Sequence, residues 1–213
     1  MSSTKEKILN AAEVLFAEQG FSETSMRLIT SVAQVNLAAV NYHFGSKKDL
    51  IQAVIDRYFI RFSGRVHVTF TELEENESVD MNEILQALLI PVIELDEINN
   101  DSAANFMRLL GRAYTESQGH LKVFLSEKYG YLLSQFTRLV HKANPTLDNN
   151  EVFWRLHFML GTMVFAMAGH QALKDIAEAD LNEQVDTQRM IDYLIPFLTG
   201  SMQSSKTLEI DKC

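Results

Sequence analysis

The sequence predicts an all-α protein, and three observations carry that prediction. Glycine and proline are scarce, nine and three in 213 residues. Apolar residues recur at spacings of three and four along almost the whole chain, and alternating β-branched stretches are nearly absent. The apolar share of 46% is enough to bury one good-sized core, or a small domain joined to a larger one.

A first helix opens at Ser3, whose S-x-x-E spacing to Glu6 is a capping-box pattern. It places Ile8, Ala11, Ala12, Leu15 and Phe16 on one face before Gly20 stops it. A short second helix is predicted from Ser25 to Val35, with Met26, Ile29 and Ala33 inward. A third is predicted from Leu37 to Phe44 with Asn36 as its N-cap. Gly45 ends it, and Ser46 with Asp49 opens a long fourth helix, residues 46–73, carrying Leu50, Val54, Tyr58 and Phe62.

The stretch ELEENESVD, Glu72–Asp80, is acidic and poor in large apolar residues, and marks a hinge. The expected division is therefore a domain over 1–50, a connector helix over 46–73, a second domain over 74–203 and a frayed tail over 204–213. Helices are predicted near 81–97, 101–117, 120–143, 149–174 and 186–203. Their punctuation is Asn99-Asn100, Gly119, Asn144-Pro145 and an acidic loop around Asp175–Glu183.

Charge and chemistry narrow the function. The formal net charge is −9, which by itself argues against a phosphate-rich partner. Residues 1–62, however, hold seven Lys or Arg against six acids, while the rest of the chain holds 12 against 22. Nucleic-acid binding is thus permitted at one end only. The single cysteine, Cys213, makes neither an intrachain disulfide nor a thiolate metal cage. MSSTKEKILN has no signal-peptide core, and the apolar run Trp154–Ala168 is broken by Arg155 and His157, short of the roughly 18–20 residues of a span. A cytoplasmic protein with no membrane partner is expected. No HExxH, GxSxG, P-loop or paired-cysteine pattern occurs, and His67, His120, His141, His157 and His170 are scattered without ligand spacing. The expectation is a non-enzyme with no metal and no cofactor, a helical enzyme and a helical interaction module being the alternatives.

Two short helices joined by a tight turn are the architecture of a helix-turn-helix reader. In the second of them, Val40 and Phe44 brace the core, leaving Asn36, Leu37, Ala38, Ala39, Asn41, Tyr42 and His43 outward. Small Ala38 and Ala39 let backbone approach base edges, an Ala or Leu methyl can touch a thymine methyl, and Asn41 can bond a phosphate or an adenine edge. Tyr42, His43 and Lys47 suit phosphate, as do Thr24 and Ser25 at a helix N-terminus. The same residues also fit a pair of amphipathic surface helices with no ligand.

The stretch GFSETSMRLITSVAQVNLAAVNYHFGSKKDL, Gly20 to Leu50, resembles the DNA-binding signature of TetR-family regulators: a Gly-aromatic pair, Thr-Ser-x-Arg, a recognition helix and Phe-x-Ser-Lys. With the first helix, the resemblance covers about 50 residues. It implies that Thr24, Ser25, His43 and Lys47 meet the DNA backbone and that Asn36 to Ala39 face the groove of an inverted-repeat operator; Arg27, in the Thr-Ser-x-Arg element, is a further candidate DNA-binding residue. Thr30, Gln34 and Asn41 depart from the usual Ala, Gly and Tyr. The wording VNLAAVNYHFGSKKDLI also looks like the PsrA-like branch, which implies a long-chain fatty acid or its acyl-CoA as effector.

The C-terminal part offers two further surfaces. EVFWRLHFMLGTMVFAMAGHQAL, 151–173, is apolar nearly all round, and Gly161, Ala166, Ala168 and Gly169 allow close helix approach. With Tyr193 and Phe197 of the last helix, Trp154, Gly161, Phe165 and Gly169 form either a subunit interface or an internal monomer core. The resemblance implies a homodimer. Arg108 and Arg112, four apart, either anchor an anionic head group or pair with Glu94, Asp96 or Glu116. Met107, Phe124 and Phe158 are the candidate apolar lining for a small apolar effector, plain core being the alternative.

Overall fold

The N-terminal segment folds as three short helices whose ends are set by named side chains. α1, Thr4–Gln19, starts at Ser3, whose hydroxyl accepts the Glu6 N–H at 3.2 Å, and buries Ile8, Leu9, Ala12, Leu15 and Phe16. It ends at Gly20, which takes φ +89° and returns its N–H to Phe16 O. α2, Met26–Ala33, is capped by the Ser25 hydroxyl on the Leu28 N–H. It stops two residues short of the expected Val35 because Gln34 turns left-handed, φ 54° and ψ 47°, with Val35 N–H closing back on Thr30 O at 3.0 Å. A side chain in that conformation costs about 1–2 kcal/mol, and the turn's closing hydrogen bonds oppose the cost. α3, Leu37–Phe44, begins at Asn36, whose carboxamide oxygen accepts the Ala39 N–H at 2.8 Å, and ends at Gly45, φ +74°.

This computed structural model describes residues 3–97, 101–116 and 119–204. The expected Asn99-Asn100 boundary and the tail beyond Ser204 lie outside them. Among the described residues there are seven further α-helices and no strand: α4 Lys47–Glu75, α5 Met81–Ile93, α6 Ser102–Thr115, α7 Gly119–Ala143, α8 Asn149–Ala168, α9 His170–Leu181 and α10 Thr187–Gln203. The chain forms two compact units, Met1–Ser63 with Glu94–Gly130, and Gly64–Ile93 with Tyr131–Cys213. In the first of them, residues from the middle of the chain join the N-terminal helices.

In the first unit, the start of α4 supplies Leu50, Ile51, Val54, Ile55 and Tyr58 to a buried core with Phe16, Phe21 and Ile29. Phe106 of α6 lies 1% exposed among the rings of Tyr58, Phe59 and Phe62, with centroids 5.4–5.6 Å away. The predicted helix 81–97 ends at Ile93, shortly after Pro91, and continues as a 3₁₀ turn, Glu94–Glu97. Asp96 in that turn caps α6 by accepting the Ala103 N–H at 2.8 Å. Arg57 joins α4 to α1 through Glu6, Glu13 and Asn10 at 2.7–3.1 Å. Beside it the Tyr58 hydroxyl donates to Glu13 at 2.5 Å, and burial followed by that carboxylate pushes the phenol far above its ordinary pKa.

In the second unit, the rest of α4 buries Val66, Phe70 and Leu73. α4 runs two residues past the expected end, because Lys142 donates to its terminal carbonyls at Glu74 and Asn76, and Arg138 pairs with the Glu74 carboxylate at 2.8 Å. α5 packs on α10, and α10 on α8. Arg155 of α8 closes the end of α10 by donating to Ser201 O at 2.9 Å and Ser204 O at 3.0 Å.

The expected single helix 149–174 is two helices bent by 72° at Gly169. Gly169 leaves helical geometry at φ −101° and ψ 16°. The expected acidic loop Asp175–Glu183 is mostly helix as well. α9 runs to Leu181 with no buried residue, so its carboxylates stay solvated without breaking the helix. No single helix among the described residues is long and apolar enough to cross a membrane.

Thr24 ties the start of the reader to α1. Its side chain is fully buried and its hydroxyl lies 2.7 Å from Gly20 O and 3.2 Å from Leu15 O. Thr24→Val keeps the shape and leaves those carbonyls without their donor. It is expected to lower stability by about 1–3 kcal/mol, read as a drop in the denaturant midpoint at unchanged m-value. An unchanged midpoint would show that the hydroxyl contributes nothing.

Candidate nucleic-acid interface

The helix-turn-helix expectation requires a second helix with one face in the core and one facing out, and α3 has that form. Val40 and Phe44 are buried, while Leu37 is 43% and Tyr42 86% exposed. Ala38 and Asn41 are exposed with them, so Leu37, Ala38, Asn41 and Tyr42 make a strip at i, i+1, i+4 and i+5. Ala39 and His43 flank it, half-buried, the His43 ring edge-on to Tyr42 at 5.1 Å. An aromatic side chain as exposed as Tyr42 is uncommon on an ordinary surface.

The candidate phosphate contacts separate into two kinds. Ser25 and Arg27 are exposed at the N-terminus of α2. Lys47, the first residue of α4, is half-buried and donates to Ser22 O at 3.3 Å, which fixes its ammonium beside the loop that precedes α2. Thr24 differs from the expectation: its buried hydroxyl is bonded to α1, so the side chain is not available to a phosphate. Asn36 spends its carboxamide oxygen on the N-cap of α3.

The candidate ligand residues are less uniform. Met107 is 1% exposed, a core position. Arg108 donates to Asn105 at 3.0 Å. Arg112, expected to point the same way, instead donates to Glu18 O at 3.1 Å, with Glu116 Oε1 3.9 Å away. Phe124 is half-buried, with the Lys128 ammonium 5.6 Å from its ring centre. Phe158 belongs to the other unit and is 66% exposed, on the same side of α8 as Trp154 and Phe165, so it does not line a core site there.

That side of α8 is notable for what it leaves uncovered. Trp154, Phe158, Gly161 and Phe165 follow at i, i+4, i+7 and i+11, and the three aromatic side chains are 57–71% exposed. On α10, Tyr193 and Phe197 are 56% and 63% exposed. A Cβ at Gly161 would meet nothing within 4 Å, whereas one at Gly169 would stand 3.1 Å from Phe165 O, so Gly169 serves the bend.

Four of the scattered histidines show structural partners, while the buried His120 Nε2 has no hydrogen bond among the described residues. His67 meets Gln135 and His141 meets Asn149, each at 2.9 Å, while His157 and His170 face backbone carbonyls of their own helix or its predecessor. Among the described residues no three His, Cys, Asp or Glu side chains converge as a metal set.

Glu116, a candidate partner of Arg112 by spacing and 3.9 Å from it, has a second contact that the sequence does not announce. The Glu116 carboxylate accepts the N–H groups of Phe21 at 3.2 Å and Ser22 at 2.9 Å, some 95 positions back along the chain. The only local signal was Gly20, and its spacing said nothing of the partner.

Comparisons agree with this geometry. Residues 8–54 match the family described as bacterial regulatory proteins, tetR family, and residues 86–201 match the tetracyclin repressor-like C-terminal domain. The HTH-type transcriptional regulator UidR of Escherichia coli is 29% identical over 120 residues, 53% of this chain and 61% of that one. Matches span from 30% to 61% of the length of such curated relatives. Two solved structures share the fold at low identity. The fatty acid degradation regulator FadR of Bacillus halodurans has a TM-score of 0.60 at 15% identity, covering 95% of this chain and 96% of that one. SmeT, the repressor of the Stenotrophomonas maltophilia multidrug efflux pump SmeDEF, has a TM-score of 0.59 at 18% identity, covering 94% and 90%. With its C-terminal domain match alone spanning more than half of its residues, the chain belongs to the tetR family of bacterial regulatory proteins.

Proposed function

We propose that this chain is a cytoplasmic, homodimeric transcription regulator, not an enzyme, that represses from an inverted-repeat operator and is released by a long-chain fatty acid or its acyl-CoA. The observation that carries the DNA-binding part is the outward strip of α3. A helix entering a major groove needs a face free of core duty, with small side chains where backbones approach and polar ones at the margin. Leu37, Ala38 and Ala39 offer methyl groups to thymine, and Asn41 offers a carboxamide to an adenine edge or a phosphate. Tyr42, His43, Lys47, Ser25 and Arg27 lie around them for the backbone, and Thr24 contributes its peptide N–H alone. The acidic remainder of the chain is repelled by phosphate, which favours approach by this end.

The dimer reading rests on the uncovered aromatic rows of α8 and α10. Trp154, Phe158, Phe165, Tyr193 and Phe197 leave large apolar surfaces in water, and two copies of such helices would bury them as a four-helix interface. The two recognition helices of the dimer then meet half-sites about 34–36 Å apart or at a multiple of that spacing.

The effector reading rests on the PsrA-like wording of residues 35–51 and on the Phe and Met content of the helices from 101 to 173. Arg108 and Arg112 are the candidate head-group anchors, Arg108 donating to Asn105 and Arg112 to Glu18 O. The fold does not discriminate among effectors: it is shared with a regulator of fatty acid degradation and with a repressor of a drug pump. Another apolar small molecule is the competing outcome.

Binding to a duplex from the region upstream of the chain's own coding sequence tests the first part. Lys47→Ala is expected to weaken specific and nonspecific duplexes by similar factors and to flatten the salt dependence of log K by about one unit. Unchanged affinity at both low and high salt would remove Lys47 from the interface. Asn41→Ala separates base from backbone, a loss confined to the specific duplex assigning it to a base.

Sedimentation tests the second. The wild type is expected to be dimeric at micromolar concentration, and Phe165→Glu to be a helical monomer with weakened operator binding. A wild-type monomer would end the dimer reading.

A chain-length series of fatty acids and acyl-CoAs, titrated against the operator complex, tests the third. Affinity is expected to rise by up to about 0.8 kcal/mol per methylene until the site is full. By linkage, operator DNA weakens acyl binding by the same factor that acyl binding weakens DNA binding. Release by a short polar compound, with no slope in chain length, would sink the acyl assignment and leave DNA binding standing.

A further inference from the structure

The joint between α1 and α2 is held from outside by the last turn of α6. A helix end leaves carbonyls without partners, and the residues after it carry N–H groups in the same state. Arg112 donates to one such carbonyl, Glu18 O, at 3.1 Å. Glu116, four residues on, accepts from the next two N–H groups, Phe21 at 3.2 Å and Ser22 at 2.9 Å, and from the Ser22 hydroxyl at 3.2 Å. A cation thus meets the negative end of α1, and an anion meets the donors beyond it. The Glu116 side chain is 16% exposed, and its bond from the Phe21 N–H is part-buried.

Gly20 is shaped to this contact. A Cβ there would stand 2.4 Å from Glu116 Oε1 and 3.3 Å from Arg112 Nη1, and its φ of +89° disfavours a side chain independently. The turn accommodates the carboxylate because nothing occupies that space.

Ser22 then links the contact to the DNA-facing side. Glu116 holds its N–H and hydroxyl, while its carbonyl accepts from the Lys47 ammonium at 3.3 Å. An ammonium has three donors, so Lys47 can keep Ser22 O and still reach a phosphate. Three residues after Ser22 comes Ser25, the N-cap of α2.

We infer that Glu116 is a positioning residue of the DNA reader: by fixing the Phe21–Ser22 peptide groups it sets where Lys47 presents its charge to the DNA backbone. This inference rests on the DNA-binding reading above. Because Glu116 acts through Ser22 on Lys47, the two residues belong to one pathway, and their removal must be non-additive.

The test uses the full-length protein, the upstream duplex and a random duplex of equal length. Glu116→Ala is expected to raise amide exchange at Phe21 and Ser22 by about tenfold or more, with exchange of the Ile8–Phe16 stretch unchanged. Operator affinity is expected to fall by about tenfold, with the same loss of salt slope as Lys47→Ala, and the double variant to be no weaker than Lys47→Ala alone. Glu116→Gln keeps an acceptor oxygen and is expected to recover most of the affinity, which also covers the case in which Glu116→Ala folds poorly. Additive losses, or wild-type exchange at Phe21 and Ser22 in Glu116→Ala, overturn the inference. Wild-type protein that binds neither duplex at low salt overturns the DNA-binding reading and the positioning role together, a result distinct from additive variants of a binding wild type.

Discussion

A helix of 29 residues is not kept straight and dry by its own hydrogen bonds; it persists where a continuous apolar stripe is covered. α4 is that helix here. Leu50, Ile51, Val54, Ile55, Tyr58 and Phe62 are buried in one unit, and Val66, Phe70 and Leu73 in the other. Two other elements of the first unit are tied to this stripe: α1 through Arg57 and Tyr58, and α6 through Phe106 among the α4 rings. The DNA reader is therefore not a free-standing trihelical module. Its floor is the beginning of α4, and its neighbours include residues from the middle of the chain.

Local signals were legible and distant ones were not. Ser3, Ser25 and Asn36 act through atoms three residues away, and Gly20 and Gly45 through their own backbone angles, so a short window contains the cause and its effect. The all-α class, the helix-turn-helix and the face of α3 followed from such windows. The break at Gly169 did not, because a glycine inside an apolar run is compatible with close packing as well as with a bend. α9 was missed since Asp175, Glu178 and Asp180 suit a loop and a solvated helix equally. Thr24 reads from the sequence as a surface hydroxyl at a helix start, and only the approach of α1 shows it to be buried. Arg112 and Glu116 have partners more than 90 positions away, which no spacing rule encodes.

The exposed strip of α3 and the exposed rows of α8 and α10 differ in composition. In the first unit the exposed strip on α3 is short and mixed, combining methyl groups, a carboxamide and a phenol, a composition matched to base edges and phosphates. In the second unit the exposed rows on α8 and α10 are aromatic, with the Arg189 guanidinium 5.0 Å from the Tyr193 ring, a composition matched to another largely apolar surface. Each of these surfaces is made by several neighbouring side chains, so neither rests on an isolated residue.

The contact between the last turn of α6 and the α1–α2 joint also constrains the order in which the molecule is built. Hydrogen bonds between Ser22 and Glu116 close a loop of 94 residues. The entropic cost of closing a flexible loop rises with its length, by about 0.6 kcal/mol per doubling, and contacts distant in sequence form late relative to local ones. α1, α2 and α3 make their caps and mutual packing within the first 45 residues. During synthesis the trihelical segment can thus assemble before α6 has left the ribosome, with the Phe21–Ser22 peptide groups still hydrated. A nascent reader of this kind is already folded in outline but not yet held from its far side. Closure of the Ser22–Glu116 contact waits on about 70 further residues of translation, so it follows the packing of these three helices and does not precede it.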